Sequence, residues 1–175
     1  MLLRNDKAAK ALNEHQKNVS ILCEAMGRAY GLSHDDLFRL VVAARFHDIG
    51  KLLIPDSILN KPDKLNDKEF TIVRKHSILG YKYMKHFDFE EKIARAVLFH
   101  HERYDGTGYP MGLKGESIPL LSRIISVADA FCAMTEDRPY RKAMSRRETL
   151  VHIESEINGK FDGNIVQLLI REVRL

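Results

Sequence analysis

The chain has 175 residues, 45% of them hydrophobic and 30% charged, which predicts a single globular domain spanning 1–175 and excludes a disordered or fibrous protein. Its two cysteines, Cys23 and Cys132, stand far apart and outside any CxxC pattern, which excludes a disulfide framework or zinc ribbon and favours the cytoplasm. No apolar run approaches the roughly 20 residues that a bilayer requires, so membrane insertion is not expected. The net charge of +4 is spread along the chain. A small anionic substrate explains this charge as well as a nucleic-acid polymer would, and we do not expect such a polymer as a partner.

Apolar residues recur at three- and four-residue spacing through most of the chain, which is typical of α-helices with one buried face. The expected helices lie at about 5–30, 34–48, 67–87, 89–101 and 120–135, with two more after 145 and 162. Side chains that cap helix N-termini precede four of them, namely Ser33, Asn66 (with Glu69), Ser145 (with Glu148) and Asp162. We therefore predict an all-α fold, a helical bundle.

Two stretches interrupt the helical pattern. Pro55, Asp56 and Pro62 mark turns after the second helix. The segment Tyr-Asp-Gly-Thr-Gly-Tyr-Pro at 104–110 cannot be helical, because two glycines and a proline break it, and the irregular run is expected to reach Pro119. A loop carried on rigid helices is a common place for functional residues.

The first candidate site residues are His47 and Asp48, which follow an apolar helical segment. Burying both side chains there would be costly unless they met a partner, and a metal ion is such a partner. Neighbouring helical residues point about 100° apart, so the pair can serve two different ions. Imidazole and carboxylate ligands suit Fe, Mn or Zn. A hydrogen-bonded Asp–His pair within a core is the alternative, and for a lone pair it is the more common case.

Further histidines and aspartates favour the metal hypothesis. His76 lies on a later helix, His100 and His101 are adjacent, and Asp129 lies within an apolar helical segment. An ionised carboxylate on a buried helix face needs a cation or several donors, although an internal salt bridge would also satisfy Asp129. Together with the His-Asp pair, four predicted helices each contribute candidate ligands.

Other polar residues carry weaker signals. Glu102 is expected to accept an imidazole N–H and fix the tautomer of a metal ligand, with a solvated helix end as the alternative. His15 lies on an amphipathic helix, where a lone histidine is more often a surface or core residue than a ligand. His34, His86 and His152 fall at helix ends or in exposed contexts, and we interpret them as structural or solvated.

Four motifs lie along the chain at the candidate ligands. They are His-Asp-Ile-Gly-Lys at 47–51, His-Ser-Ile-Leu-Gly at 76–80, His-His-Glu-Arg-Tyr-Asp-Gly-Thr-Gly-Tyr-Pro at 100–110, and Val-Ala-Asp-Ala-Phe-Cys-Ala-Met-Thr-Glu-Asp-Arg-Pro-Tyr-Arg at 127–141. Together they resemble the HD-GYP domain, a subgroup of the HD phosphohydrolases. The resemblance extends from His15 to Asp162, nearly the whole chain, and the longest motif is too specific to arise by chance.

The resemblance implies a helical bundle of the HD-domain type and a metal-dependent phosphodiesterase that hydrolyses a cyclic dinucleotide, most often cyclic di-GMP. The implied cofactors are two divalent ions, Fe or Mn, with Asp48 bridging them and Lys51 reaching a phosphate oxygen as the catalytic pair. The implied metal ligands are His15, His47, Asp48, His76, His100, His101 and Asp129. The implied substrate-binding residues are Lys51, Gly108, Tyr109, Pro110, Arg138 and Arg141.

Two positions depart from the family pattern. Members with three metals carry a glutamate one helical turn before the first histidine, where this chain has Ala11, so two metals are expected. Cys132 stands where many members have an aspartate in an Asp-x-x-Asp motif, and its presence is expected to weaken a ligand contact or the surroundings of the ligands.

The implied chemistry is attack on phosphorus by a metal-activated water, which gives a linear dinucleotide, with further conversion to mononucleotide left open. One alternative is an HD hydrolase for another nucleotide or phosphate ester, which the Gly-Tyr-Pro loop disfavours. A second is a domain that senses a nucleotide or docks a partner without turnover, which Cys132 favours and the complete set of metal ligands disfavours. HD-GYP domains usually follow a sensory or receiver domain, so fusion to or docking with one is expected, and a homodimer is left open.

Overall fold

The structure is a computed structural model that describes residues 6–61, 63–137 and 142–173, with the side chains of 6–9 and 11 excluded. Within these ranges the regular elements are α-helices and 3₁₀ turns, and no strand occurs. The predicted all-α fold is confirmed. No helix in the same ranges is long and apolar enough to cross a membrane.

The helices of the described residues follow one another with short connections. Two 3₁₀ turns, Ile49–Leu53 and Gly115–Ser117, lie between them. The α-helices are α1 (Asp6–Tyr30), α2 (His34–Phe46), α3 (Asp56–Leu59), α4 (Asp67–Arg74), α5 (His76–His86), α6 (Glu91–Leu98), α7 (Leu120–Thr135), α8 (Arg146–Ser155) and α9 (Gly163–Val173).

The predicted helix caps are confirmed. Each capping side chain accepts a backbone N–H at the start of its helix, which satisfies a donor that the helix itself leaves without a partner. Two of them form complete capping boxes, in which a glutamate also accepts the N–H of the capping residue. The caps are Ser33, Asn66 (with Glu69), Ser145 (with Glu148) and Asp162.

Three predicted helices are shorter than expected. The segment 67–87 divides at Lys75, so that His76 is the first residue of α5. The second helix ends at Phe46, and Asp48 opens the 3₁₀ turn. The helix predicted at 89–101 ends at Leu98, which leaves the two histidines at 100–101 beyond it. Apolar spacing continues through these breaks, so periodicity alone does not mark them. The predicted turn at 55–56 also differs, since α3 begins there.

Helix α7 lies at the centre of the bundle. It contacts α1, α2, α6, α8 and α9, and its residues Ile124, Ile125, Val127 and Ala128 are fully buried. Full burial of each large aliphatic side chain stabilises the fold by roughly 1.5–3 kcal/mol relative to exposure. Because α7 carries Asp129 within this packed core, the aspartate is held on a rigid element.

Candidate metal centre

The structure brings the seven predicted metal ligands together from five separate segments. The ligands form two groups, and within each group one ligand atom per residue lies within 4.8 Å of all the others. Asp48 belongs to both groups. Asp129 lies beside the first group, with its Oδ1 atom 2.9 Å from Nε2 of His15 and 3.9 Å from Nε2 of His47. The first group is His15, His47 and Asp48; the second is Asp48, His76, His100 and His101.

Three of the histidines are oriented in the same way. Each donates its Nδ1–H to the backbone carbonyl three residues earlier, which fixes the tautomer and leaves a lone pair on Nε2. This local bond is the reason that each ring turns the same nitrogen away from its own backbone and toward the common centre. The pairs are His47 with Ala44 at 2.7 Å, His76 with Val73 at 2.8 Å and His100 with Val97 at 2.6 Å.

At the centre, imidazole nitrogen and carboxylate oxygen atoms that accept hydrogen bonds face one another. Nε2 of His76 lies 3.4 Å from Nε2 of His100 and 3.4 Å from Oδ1 of Asp48. Nε2 of His47 and Oδ1 of Asp48 are buried without a hydrogen-bond partner among the described residues. Buried polar atoms without partners cost free energy, and a divalent cation bound by nitrogen and oxygen ligands would satisfy all of them. The residues present therefore fit a metal site.

The environment holds most of these groups in the protonation state that binds metal. Burial lowers the pKa of His76, and burial with the neighbouring imidazoles lowers the pKa of His100 well below its usual value. Burial and the charge of His76 lower the pKa of His101 to about 3. Although burial opposes ionisation of Asp48, the charges of Lys51 and the histidines outweigh it and hold its pKa well below the ordinary value. Neutral imidazoles and an ionised carboxylate are the forms that coordinate metals.

The imidazole of His47 differs from the others. Burial alone would lower its pKa, but the charges of Asp48 and Asp129 outweigh burial and raise the pKa above the ordinary value. The raised pKa means that a proton competes with a metal ion for the lone pair on Nε2 of His47. Metal binding to the first group has to displace that proton, whereas the histidines of the second group are already neutral.

We expect metal occupancy to fall in two steps on acidification. Protonation of His47 competes with metal below its raised pKa, so the first group loses its ion first, while the second group keeps its ion to lower pH because the pKa values of its histidines are lowered. Metal analysis after equilibration at successively lower pH should give about two ions per chain at first and about one at intermediate pH, before the second ion is lost. A variant of an exposed histidine, His34→Gln, should show the same profile. Loss of both ions in a single step would contradict this expectation.

His15 is held between two carboxylates. Its Nδ1 atom lies 2.8 Å from Oε2 of Glu136 and its Nε2 atom lies 2.9 Å from Oδ1 of Asp129. Asn18, one turn later on α1, donates to Oε1 of Glu136 at 2.9 Å. Glu136 was missed in the sequence, although it follows Asp129 by seven residues, a spacing that places two residues on one helix face. It holds the imidazole that approaches the centre from α1.

Comparison with known proteins identifies the family. The family model described as HD domain matches residues 3–165. The chain belongs to the HD domain family. The family predicted from the motifs is thereby confirmed.

Several characterised proteins resemble this HD domain. It is 37% identical over 174 residues to the cyclic di-GMP phosphodiesterase response regulator RpfG of Xanthomonas campestris pv. campestris, covering 94% of this chain and 46% of that protein. It is 36% identical over 174 residues to the 3'3'-cGAMP-specific phosphodiesterase 1 of Vibrio cholerae, covering 98% and 40%. It is 40% identical over 162 residues to the cyclic di-GMP phosphodiesterase PA4108 of Pseudomonas aeruginosa, covering 91% and 38%. The chain thus spans less than half the length of these relatives.

Solved structures of similar shape support the fold. An HDG"Y"P protein from Bdellovibrio bacteriovorus superimposes with a TM-score of 0.76 at 22% identity, covering 94% of this chain and 53% of that chain. A cyclic GMP-AMP specific phosphodiesterase of Vibrio cholerae gives a TM-score of 0.72 at 21% identity, covering 92% and 44%. The predicted helical bundle of the HD-domain type is confirmed.

In this HD domain, Lys51 lies at the edge of the centre. Its Nζ atom is 2.5 Å from Oδ2 of Asp48, and its side chain is 25% exposed whereas that of Asp48 is 3% exposed. The 3₁₀ turn that contains Lys51 directs both side chains to the same place. An anion that approaches the centre from solvent would therefore meet the ammonium group.

The Gly-Tyr-Pro loop closes one side of the centre. The backbone N–H of Tyr109 donates to the carbonyl of His101 at 3.2 Å, and the two rings stack with centroids 4.9 Å apart. Gly108 packs against the backbone, and a Cβ atom there would lie 2.2 Å from the nitrogen of Arg103. The glycine is required because nothing larger fits between the two backbone segments.

The role predicted for Glu102 was wrong. Its Oε1 atom accepts the N–H of Met111 at 2.7 Å and its Oε2 atom accepts the N–H of Leu113 at 3.1 Å, and the residue is 2% exposed. Among the described residues no imidazole donates to Glu102, and the Nδ1–H of His100 donates instead to the backbone carbonyl of Val97. Glu102 instead fastens the end of the Gly-Tyr-Pro loop to the segment that carries the paired histidines.

Replacing Glu102 with alanine should loosen the loop without removing metal. Two backbone N–H groups lose their buried, charged acceptor, and each lost hydrogen bond destabilises the loop by roughly 1–3 kcal/mol. Hydrogen exchange should accelerate at Met111 and Leu113, while metal content stays as in the unmodified chain. Glu116→Ala, at an exposed glutamate of the same loop, is the matched control. Unchanged protection at both amides in Glu102→Ala would contradict the assigned role.

The remaining predicted residues divide into three cases. Arg138 and Arg141, predicted to contact substrate, lie outside the described residues, as does the side chain of Ala11. Cys132 is 6% exposed and lies with Cys23 in the apolar core, outside both ligand groups of the described part of the chain. The histidines interpreted as solvated are exposed, namely His34, His86 and His152.

Proposed function

We propose that this HD domain is a phosphodiesterase that hydrolyses a cyclic dinucleotide with two divalent ions as cofactors. The observation that carries the proposal is the pair of ligand groups that share Asp48, since a carboxylate common to two sets of inward-facing acceptors is suited to bridge two cations. The named activities of the relatives, on cyclic di-GMP or 3'3'-cGAMP, support the substrate class.

Each ion would be held by side chains already in position. His15, His47 and Asp129 would join Asp48 around the first ion. When bound, the two ions would lower the pKa of a water and stabilise charge on the phosphoryl group. Iron or manganese is our proposal for both. The ligands around the second ion would be Asp48, His76, His100 and His101.

The chain's own residues would position the phosphodiester and stabilise its charge. Lys51 would donate from Nζ to a non-bridging phosphate oxygen, a charge-assisted hydrogen bond that strengthens as negative charge develops. Asp48 keeps that ammonium beside the centre. The ring of Tyr109 covers His101 and shields that side of the centre from water. Gly108 and Pro110 would shape the loop around the bound dinucleotide.

The preferred substrate in this proposal is cyclic di-GMP, with linear pGpG as the first product and GMP as a further one. Arg138 and Arg141 would contact the dinucleotide from the segment that follows α7. We further propose that the domain works fused to or docked with a sensory or receiver domain, in keeping with the greater length of its relatives.

Product analysis tests this function directly. Protein loaded with manganese, or with iron under anaerobic conditions, is incubated with cyclic di-GMP, 3'3'-cGAMP and a panel of mononucleotides, and the products are separated by chromatography. We expect a linear dinucleotide from a cyclic substrate, loss of the reaction after chelation and its return when metal is restored. No linear product with either metal, or a preference for mononucleotides, would overturn the proposal.

A further inference from the structure

Arg74 completes a stack of side chains at the outer edge of the metal centre. Its guanidinium carbon lies 4.6 Å from the ring centroid of Phe70 and 5.1 Å from that of Tyr109. Tyr109 in turn stacks on His101 with the two rings inclined by 30°. A single aromatic ring therefore separates the guanidinium from a candidate metal ligand.

The backbone fixes Arg74 relative to the centre. It is the last residue of α4, and only Lys75 separates it from His76, the first residue of α5. The backbone carbonyl of Arg74 also accepts the hydroxyl of Ser77 at 3.2 Å. The backbone of Arg74 thus has a defined position beside the site, and its exposed side chain lies over Phe70 and Tyr109.

The donors of Arg74 are not used by carboxylates of the described residues. Other arginines of the chain hold acidic partners, as Arg28 holds Glu24 and Arg39 holds Glu90. Arg74 is exposed and is instead flanked by rings. A guanidinium that lies over aromatic rings is held by cation–π attraction, which leaves its fork of N–H donors able to bind an acceptor on a ligand.

We propose that Arg74 is a substrate-binding residue that recognises guanine in a cyclic dinucleotide. The proposal rests on the proposed function, because it assumes that the scissile phosphate lies at the metal centre. Arg74 stands one ring farther out than His101, and we place a base of the bound dinucleotide beside it. Guanine offers two acceptors, O6 and N7, to a planar fork of donors, whereas adenine pairs one acceptor with an amino donor. Arg74 would therefore favour guanine over adenine.

Substitution of Arg74 by lysine tests the assignment, since lysine keeps the charge and loses the fork. Binding of cyclic di-GMP, 3'3'-cGAMP and cyclic di-AMP is measured by calorimetry on the chelated full chain, and kcat/KM on the metal-loaded chain. We expect R74K to weaken binding of cyclic di-GMP by about tenfold more than binding of cyclic di-AMP, the scale of one bidentate base contact. The matched control is R95K, because Arg95 is also exposed and lies 5.6 Å over a ring, that of Phe99.

The possible outcomes separate the inference from the proposed function. An equal loss for all three ligands would show that Arg74 grips phosphate and would overturn guanine recognition, as would affinities that R74K leaves unchanged. If hydrolysis fails while binding keeps the expected dependence on Arg74, the proposed function falls and the inference stands. If the unmodified chain neither binds the ligands after chelation nor hydrolyses them when loaded with metal, both are overturned. A second variant, R74Q, is measured in the same way. Its melting temperature, compared with that of the unmodified chain, distinguishes a loss of binding from a failure to fold.

Discussion

Asp48→Asn should abolish hydrolysis and reduce the bound metal below two ions per chain. Asparagine has nearly the same shape but carries no charge and has one fewer oxygen acceptor. It therefore cannot supply an anionic oxygen to each of the two cations, one in each ligand group. The expected loss in kcat is more than about 10³-fold, the scale seen when one member of a catalytic unit is removed. The measurements are the rate of linear dinucleotide formation and the metal content by mass spectrometry.

An exposed aspartate supplies the matched control for this substitution. Asp35 lies in the first turn of α2 with its side chain 77% exposed, so Asp35→Asn should keep both activity and metal. Retention of two ions and of activity within a few-fold in Asp48→Asn would contradict the bridging role. A melting temperature close to that of the unmodified chain would show that the loss is chemical rather than a failure to fold.

Gly50→Ala should destabilise the domain strongly. A Cβ atom at this position would lie 1.9 Å from the carbonyl oxygen of His76 and 2.5 Å from the nitrogen of Gly80. Both contacts are backbone atoms of α5, so relief requires the 3₁₀ turn and α5 to separate. Such overpacking costs about 3 kcal/mol at the upper end of its usual range. Urea denaturation of the metal-free chain measures the change in the free energy of unfolding.

Gly159→Ala is the control for Gly50→Ala. A Cβ atom at Gly159 would meet no atom closer than 3.6 Å, so a change within about 0.5 kcal/mol is expected. Gly50 and Lys51 lie in the 3₁₀ turn that directly follows Asp48. Displacement of this turn should move Asp48, so Gly50→Ala should also lower metal content at a fixed metal concentration. Equal stability of the two alanine variants would contradict the close packing of turn and helix.

The helices that sequence reasoning predicted well are those with local signals. Ser33, Asn66 and Ser145 begin helices through bonds within three residues, and such bonds can be read directly from the sequence. The breaks at Phe46 and Lys75 depend instead on how the turn at Gly50 packs against α5. That contact is between residues about 26–30 positions apart in the chain. The spacing of apolar residues within one helix carries no information about it.

The site shows the same division. His47, Asp48 and Asp129 drew attention as polar residues in apolar segments, whereas His15 was suggested mainly by resemblance to the HD-GYP domain. Its neighbours explain the difficulty, because Asp129 lies 114 residues away along the chain and Glu136 lies 121 residues away. The bonds of Glu102 to the loop were likewise hidden, since they depend on the path of the chain after Pro110.

We propose that Asp48 bridges two ions between the two groups of ligands. Anomalous diffraction from crystals of the manganese-loaded chain tests it most directly. We expect two peaks that flank Asp48, one beside His15, His47 and Asp129 and the other beside His76, His100 and His101. A single peak, or peaks away from Asp48, in crystals grown with excess manganese would contradict it.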